Sequence, residues 1–187
     1  MRVIIYDAGN WSHWSADDWI NTGRLYRELS QYDYVIPALT WEHALGALLY
    51  FQDNSINDLH VWCAGAPGAV AINRESVTGY SINPYFWHLL GSKINPRGRL
   101  WFRASSAFAG EHGHVFAKNI SNTMNRTVVG HTYAVNFFQS GLRYLHPGTY
   151  PSWSTEEGII RKADGTLEPR ASGIFRPSTV TCLHSDF

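Results

Sequence analysis

Residues 59–68 read Leu-His-Val-Trp-Cys-Ala-Gly-Ala-Pro-Gly, and residues 99–106 read Arg-Leu-Trp-Phe-Arg-Ala-Ser-Ser. Each segment begins as a short apolar run of the kind found in buried strands. Glycine and proline follow Ala64 in the first segment, and small residues follow Arg103 in the second, so both runs end abruptly. Each segment therefore predicts a buried strand that stops at a sharp turn, and this pair decides the fold.

The same alternation of strand and helix patterns continues on both sides of these two segments. Further strands are predicted at residues 2–6, 32–39, 70–72, 127–129 and 179–183. Helices are predicted at residues 15–29, 40–51, 82–90 and 112–122, with a short one whose first turn holds Glu156 and Glu157. Strands that alternate with helices imply right-handed crossovers and a mostly parallel sheet. The expected fold class is α/β: a single three-layer domain over residues 1–187, its central sheet flanked by helices, with an irregular part from about residue 139.

Composition narrows the classes of partner. Hydrophobic residues make up 44% of the chain and charged residues 16%, which is typical of a folded domain. A formal net charge of zero predicts no nucleic-acid partner.

No apolar run approaches the roughly 18–20 residues of a membrane span. Residues 1–7 are interpreted as a strand and not as a signal peptide, so a cytoplasmic location is expected, and delivery as a bacterial or phage effector stays open. Two cysteines indicate neither a disulfide framework nor a metal cluster, and no cofactor is predicted.

Conspicuous residues lie where the predicted strands end. In open α/β sheets, ligands bind beyond the carboxyl ends of the strands. Asp7, Gly65, Arg103 and Ser106 are therefore expected to contact a substrate, and glycine lets the backbone approach it closely. Ser105, at a strand-to-helix turn, occupies the kind of position from which a nucleophile acts.

The order of strands and turns in residues 61–68 and 100–110 resembles the caspase-like (CHAT-type) cysteine peptidases, over roughly residues 1–135. In that family the third strand ends in His-Gly, and the fourth ends in a small residue followed by Cys. The resemblance implies a caspase-like fold, a peptide or protein substrate, and a His/Cys dyad. It places the histidine position at Ala64 and the cysteine position at Ser105.

Both dyad positions depart from the family pattern. Ala64 can neither take nor give a proton, and Ser105 is a much weaker nucleophile than cysteine when no base is beside it. The resemblance therefore implies a form without the dyad: an engineered inactive variant or a natural pseudoenzyme. A chance alignment of the strand ends is the remaining explanation.

Two other functions compete with this interpretation. Eight tryptophans and ten tyrosines fit either an aromatic core or the crevice of a non-catalytic module that binds peptide or glycan. A serine hydrolase would use Ser105 with His131 as its base, although His131 also suits a hydrogen bond to backbone.

Three further residue types have plain structural alternatives. Asp7 also suits the cap of its own turn. Cys63, next to Trp62 in a strand, suits a buried thiol. His112 and His114 lack the further ligands that a metal site needs.

Overall fold

The computed structural model describes residues 1–9 and 31–184. The strands, in chain order, are β1 (Arg2–Asp7), β2 (Tyr34–Ala38), β3 (Ile56–Trp62), β4 (Ala64–Ala66), β5 (Ala69–Ile72), β6 (Glu75–Thr78), β7 (Ile94–Arg103), β8 (Thr127–His131), β9 (Phe138–Gln139), β10 (Leu142–Leu145), β11 (Ile159–Arg161), β12 (Leu167–Pro169) and β13 (Val180–Thr181). The helices of the described ranges are α1 (Trp41–Leu48), α2 (Pro84–Lys93) and α3 (Gly110–Met124).

A six-stranded sheet forms the centre of the protein, in the order β10-β8-β7-β3-β1-β2. Its first five strands along the chain are parallel, and β10 adds to one edge antiparallel to β8. The expectation of an α/β protein with a mostly parallel sheet is confirmed. Smaller antiparallel sheets join β4, β5 and β6, β11 with β12, and β9 with β13.

The helices begin where the chain supplies a cap. The Thr40 hydroxyl accepts a hydrogen bond from the His43 backbone N–H at 3.0 Å, and Asn83 caps α2 with Pro84 at its first position. Helix α3 ends at Asn125, which adopts the left-handed conformation with φ +52°. Within the described ranges, no helix is long and apolar enough to cross a membrane.

Three sequence predictions differ from the structure or fall beyond it. The helix predicted at residues 15–29 lies outside the described residues. The short helix predicted at Glu156 and Glu157 is wrong: the chain makes only a turn, because Gly158 adopts φ +75° and β11 begins directly after it. The closing strand predicted at residues 179–183 is confined to β13.

The two faces of the central sheet differ in chemistry. One face packs against α1, α2 and α3 in a single apolar cluster that includes Val61, Leu100 and Phe102. Because strand side chains alternate, His60 and Arg103 point to the opposite face, where both are fully buried. Polar groups with buried, fixed hydrogen bonds therefore lie directly beneath the sheet on that side.

Candidate functional site

Residues 65 and 105 meet just beyond the carboxyl ends of two neighbouring strands. The last registered pair of β3 and β7 is Trp62 with Arg103, so Ala64 and Ser105 each lie two residues beyond it. A Cβ atom added to Gly65 would lie 2.4 Å from the Ser105 carbonyl oxygen and 2.7 Å from its nitrogen. The backbones of the two segments are therefore in direct contact at this edge of the sheet.

The β4–β5 hairpin fixes the orientation of the Gly65 peptide. Its loop is Pro67-Gly68, with Gly68 at φ +78°, and it pairs Ala66 with Ala69. The residues that flank a two-residue loop form a hydrogen-bonded pair, and the pattern then alternates along the strand. The N–H and C=O of Gly65 therefore point away from β5, toward the free side of the hairpin.

Backbone strain and an unpartnered hydroxyl mark the loop after β7. Ser105 is half-buried, and its hydroxyl oxygen accepts a hydrogen bond from the Val135 N–H at 3.1 Å. Ser106 is fully buried at φ +54°, and its hydroxyl has no hydrogen-bond partner among the described residues. Such outliers persist only where the surrounding structure imposes them, and they cluster at functional sites.

Replacing Ser106 with glycine is expected to stabilise the protein by about 1–2 kcal/mol, because glycine adopts a positive φ freely and removes the unsatisfied hydroxyl. Urea-induced unfolding measures the change. Ser178→Gly is the matched control: Ser178 is exposed at φ +46°, so only the backbone contribution operates there. A Ser106→Gly protein less stable than the starting chain would show that the hydroxyl has a partner of its own.

The contact between Gly65 and Ser105 leaves no room for a side chain. Gly65→Ala is expected to lower the free energy of unfolding by about 1–3 kcal/mol, because backbone atoms of Ser105 must move. Gly46→Ala in α1 is the control, since a Cβ there meets nothing within 4 Å, and it should stabilise by about 0.5–1 kcal/mol. Equal effects of the two substitutions on thermal unfolding would contradict the described contact.

Asp7 holds a turn in place. The side chain is buried, and its two oxygens accept hydrogen bonds from the backbone N–H groups of Gly9 at 2.8 Å and Asn73 at 3.0 Å. These bonds tie the end of β1 to the turn between β5 and β6. Both carboxylate oxygens are thus used within the protein, as the turn-capping alternative expects.

Arg103, expected at the substrate, lies beneath the crevice and not in it. Its guanidinium stacks 3.8 Å from the centre of a Trp101 ring. It donates hydrogen bonds to His60 at 3.1 Å, to Gln139 at 3.0 Å and to the carbonyl oxygens of residues 182 and 184. These contacts connect the end of β7 to β9 and to the chain after β13.

His131 is committed to internal hydrogen bonds. Its Nε2 lies 3.0 Å from the Trp101 indole N–H, which can only donate, so Nε2 is the accepting, unprotonated nitrogen. Its Nδ1 then carries the proton and donates to the Ser140 carbonyl oxygen at 3.1 Å. Burial, with the nearby charge of Arg103, lowers the pKa of His131 to about 3. The described hydrogen bonds of His131 do not include Ser105.

The other candidate nucleophile and metal ligands have ordinary structural roles. Burial raises the pKa of the Cys63 thiol far above its usual range, so this buried sulfur is unreactive. His112 and His114 make edge contacts with the rings of Tyr80 and Trp153. Among the described residues there is no group of three or more side chains that could hold a metal ion.

The described tryptophans belong to the interior. All five are buried, at positions 41, 62, 87, 101 and 153. Trp153 is typical: it stacks on Phe108 and donates its indole N–H to the Phe108 carbonyl oxygen at 2.9 Å. None of these five offers an exposed ring face to a ligand, and the remaining three lie in residues 10–30, outside the described ranges.

Two features of the site had no signal in the sequence. Val135, whose N–H binds Ser105, lies in a loop after β8 that carries no motif. A cavity of about 430 Å³ begins at Pro67, where the β4–β5 hairpin turns. Its opposite wall comes from the chain between residues 155 and 167, which sequence patterns describe only as irregular.

A scan of the chain against known protein families and a search of curated proteins both find no match.

Proposed function

We propose that this chain is a caspase-like cysteine peptidase domain in a form without its dyad, with Ala64 at the histidine position and Ser105 at the cysteine position. The observation that carries the proposal is the backbone contact between Gly65 and Ser105. Such a dyad requires the third and fourth strands to end side by side, and β3 and β7 are the third and fourth strands of the central sheet along the chain.

The chemistry expected of the restored dyad uses both strand ends. A thiolate at position 105 attacks the peptide carbonyl carbon, so a C–S bond forms and the carbonyl oxygen becomes an oxyanion. The N–H of Gly65, which points away from β5, and the N–H of residue 105 supply the donors for that oxyanion. An imidazole at position 64 then protonates the leaving amine as the C–N bond breaks. Water hydrolyses the thioester, giving a proton to the imidazole and releasing the acid.

The chain as given lacks both the base and the strong nucleophile. The Ser105 hydroxyl is engaged by Val135, and Ala64 provides no group that could remove its proton. We therefore expect peptides to bind at this edge of the sheet without being cut. This expectation overlaps with the alternative of a non-catalytic peptide-binding module, and turnover after restoration of the dyad separates the two.

The serine-hydrolase alternative finds no support in the described contacts, because both ring nitrogens of His131 have internal partners. Reaction of Ser105 with a fluorophosphonate probe in the chain as given would support the serine-hydrolase alternative.

The experiment that tests the proposal is peptide hydrolysis by the Ala64→His, Ser105→Cys double variant. It is assayed on a diverse peptide mixture by mass spectrometry, beside the chain as given and each single substitution. Absence of any cleavage by a double variant that is folded would reject the peptidase hypothesis in favour of the binding module.

A further inference from the structure

A cavity of about 430 Å³ lies next to the candidate site, and the proposed function makes no use of it. This volume lies within the range of sites that hold small molecules. The cavity lies between the β4–β5 turn, the first turn of α3, and the β11–β12 hairpin. Residues on its walls include Pro67, Glu111, Glu156, Ile159, Arg161 and Leu167.

The cavity continues the candidate site along one strand. Strand β4 contains Gly65, which contacts the Ser105 backbone, and the turn that follows it contributes Pro67 to the cavity wall. Among the described residues β4 pairs only with β5, and its side chains are small. At about 3.3 Å per residue, Pro67 is roughly 7 Å beyond Gly65, the length of two extended residues.

The charges around the cavity favour a cation. Glu156 faces Arg161 at 3.8 Å, and both side chains are largely exposed, so this ion pair is weak. Glu111, exposed in the first turn of α3, has no ion pair or hydrogen bond among the described residues. The ionisable side chains on the cavity walls are thus two carboxylates, one guanidinium group and the imidazole of His112, while Ile159 and Leu167 supply an apolar surface. This combination suits a long alkyl chain that ends in a positive charge.

We propose that the cavity binds a lysine or arginine side chain of a peptide, two or three residues away from the bond held at Gly65 and Ser105. The inference rests on the proposed function, because it takes a peptide as the ligand. Its content is separate: it names the side chain, its distance from the reacting bond, and the carboxylates that select it.

The test is fluorescence anisotropy of labelled alanine-rich heptapeptides with lysine, norleucine or glutamate at one position, bound to the chain as given. The lysine peptide is expected to bind about three- to fivefold more tightly than the norleucine peptide, as an exposed ion pair allows. Glu111→Gln should remove that advantage, and Arg161→Gln should increase it. Glu42→Gln is the control, since Glu42 is an exposed carboxylate in the first turn of α1, away from the cavity.

Tighter binding of the glutamate peptide, binding of no peptide, or indifference to Glu111→Gln and Arg161→Gln would overturn the inference. The Ala64→His, Ser105→Cys double variant separates this inference from the proposed function. Lysine-dependent binding without cleavage rejects the peptidase proposal and supports the proposal that the cavity binds a basic side chain. Cleavage that does not depend on lysine, or that occurs directly next to lysine, supports the peptidase proposal. It rejects the proposed distance between the cavity and the reacting bond.

Discussion

The Ala64→His, Ser105→Cys double variant is expected to cut peptide bonds at least about 10²-fold faster than the chain as given, the lower range of what one positioned acid–base group contributes. The physical reason is the pairing at the strand ends. The Gly65–Ser105 contact brings the two segments that contain positions 64 and 105 together at one edge of the sheet. A neighbouring imidazole activates a thiol by favouring the thiolate, which a lone cysteine forms only to a small extent at neutral pH.

The single substitutions define the mechanism. Ser105→Cys alone supplies a thiol without a base, and Ala64→His alone supplies a base without a strong nucleophile, so each should stay close to the activity of the starting chain. A double variant that cuts no faster than the Ser105→Cys single variant would show that position 64 does not act on position 105. The thiolate offers a second readout: iodoacetamide should label the thiol introduced at position 105 faster in the double variant than in the single variant at pH 7.

Gly65 provides the structural control for this experiment. Gly65→Ala in the double-variant background should abolish cleavage, because its Cβ displaces backbone atoms of residue 105. Asn125→Gly changes a left-handed residue at the far end of α3 and should leave cleavage unchanged. Cleavage that survives Gly65→Ala in a folded protein would place the reacting bond elsewhere.

Much of this arrangement could be predicted from the sequence, because buried parallel strands are nearly continuous apolar runs with abrupt ends. Residues 59–63 and 99–103 have that form, and their strands do lie side by side. The sequence does not predict strand β10, because its four residues include Arg143 and Tyr144, as expected of an edge strand that is only partly covered. Val135, whose N–H binds Ser105, lies in a loop, and loops carry no periodic signal.

Sequence patterns do not reveal whether a polar residue at a strand end is exposed or buried. Arg103 and His131 follow apolar runs, which suggests an open crevice, yet both are fully buried. Alternation along β7 explains why Arg103 is buried. Arg103 lies on the same face of the sheet as Trp101, whereas Phe102 faces the helices. Because Phe102 belongs to the apolar cluster, alternation predicts that the next residue, Arg103, lies on the opposite face. Alternation does not predict its hydrogen-bond partners, since they lie 36 to 81 residues away along the chain.

That buried polar face determines how the protein responds to acid. The Nδ1 atom of His60 faces the Arg103 Nε–H at 3.1 Å and the Tyr32 hydroxyl at 2.6 Å, and Arg103 can only donate. His60 is therefore neutral, with its proton on Nε2, which donates to Asp58 at 3.0 Å. Burial lowers the pKa of His60 to about 4, despite the opposing effect of Asp58.

Asp58 also makes the protein less stable in acid, but at a lower pH than His60. Burial alone would raise the pKa of Asp58, but hydrogen bonds from His60 and Arg99 outweigh it and hold this pKa well below its usual range. A carboxyl group whose pKa is depressed by folding stabilises the protein at neutral pH. That contribution disappears as the pH falls below the pKa of the unfolded chain.

The protein is therefore expected to lose several kcal/mol of stability between pH 7 and pH 4. His60 and His131 have pKa values of about 4 and about 3 when folded and near 6.5 when unfolded. Below pH 6.5 these two histidines bind protons in the unfolded chain but not in the folded chain, so acid favours unfolding. Each histidine contributes a slope that approaches about 1.4 kcal/mol per pH unit below roughly pH 5.5. Urea-unfolding free energies at successive pH values measure the loss.

His131→Gln isolates one of the two histidines. Its side-chain amide can donate to the Ser140 carbonyl oxygen and accept from the Trp101 indole, yet it does not titrate. The variant is expected to be less stable at pH 7, with a pH slope shallower by about one proton between pH 6 and pH 4. An unchanged slope would mean that His131 is protonated in the folded protein. That result would contradict the donor-only Trp101 contact, and it would make His131 available as a proton carrier beside the site.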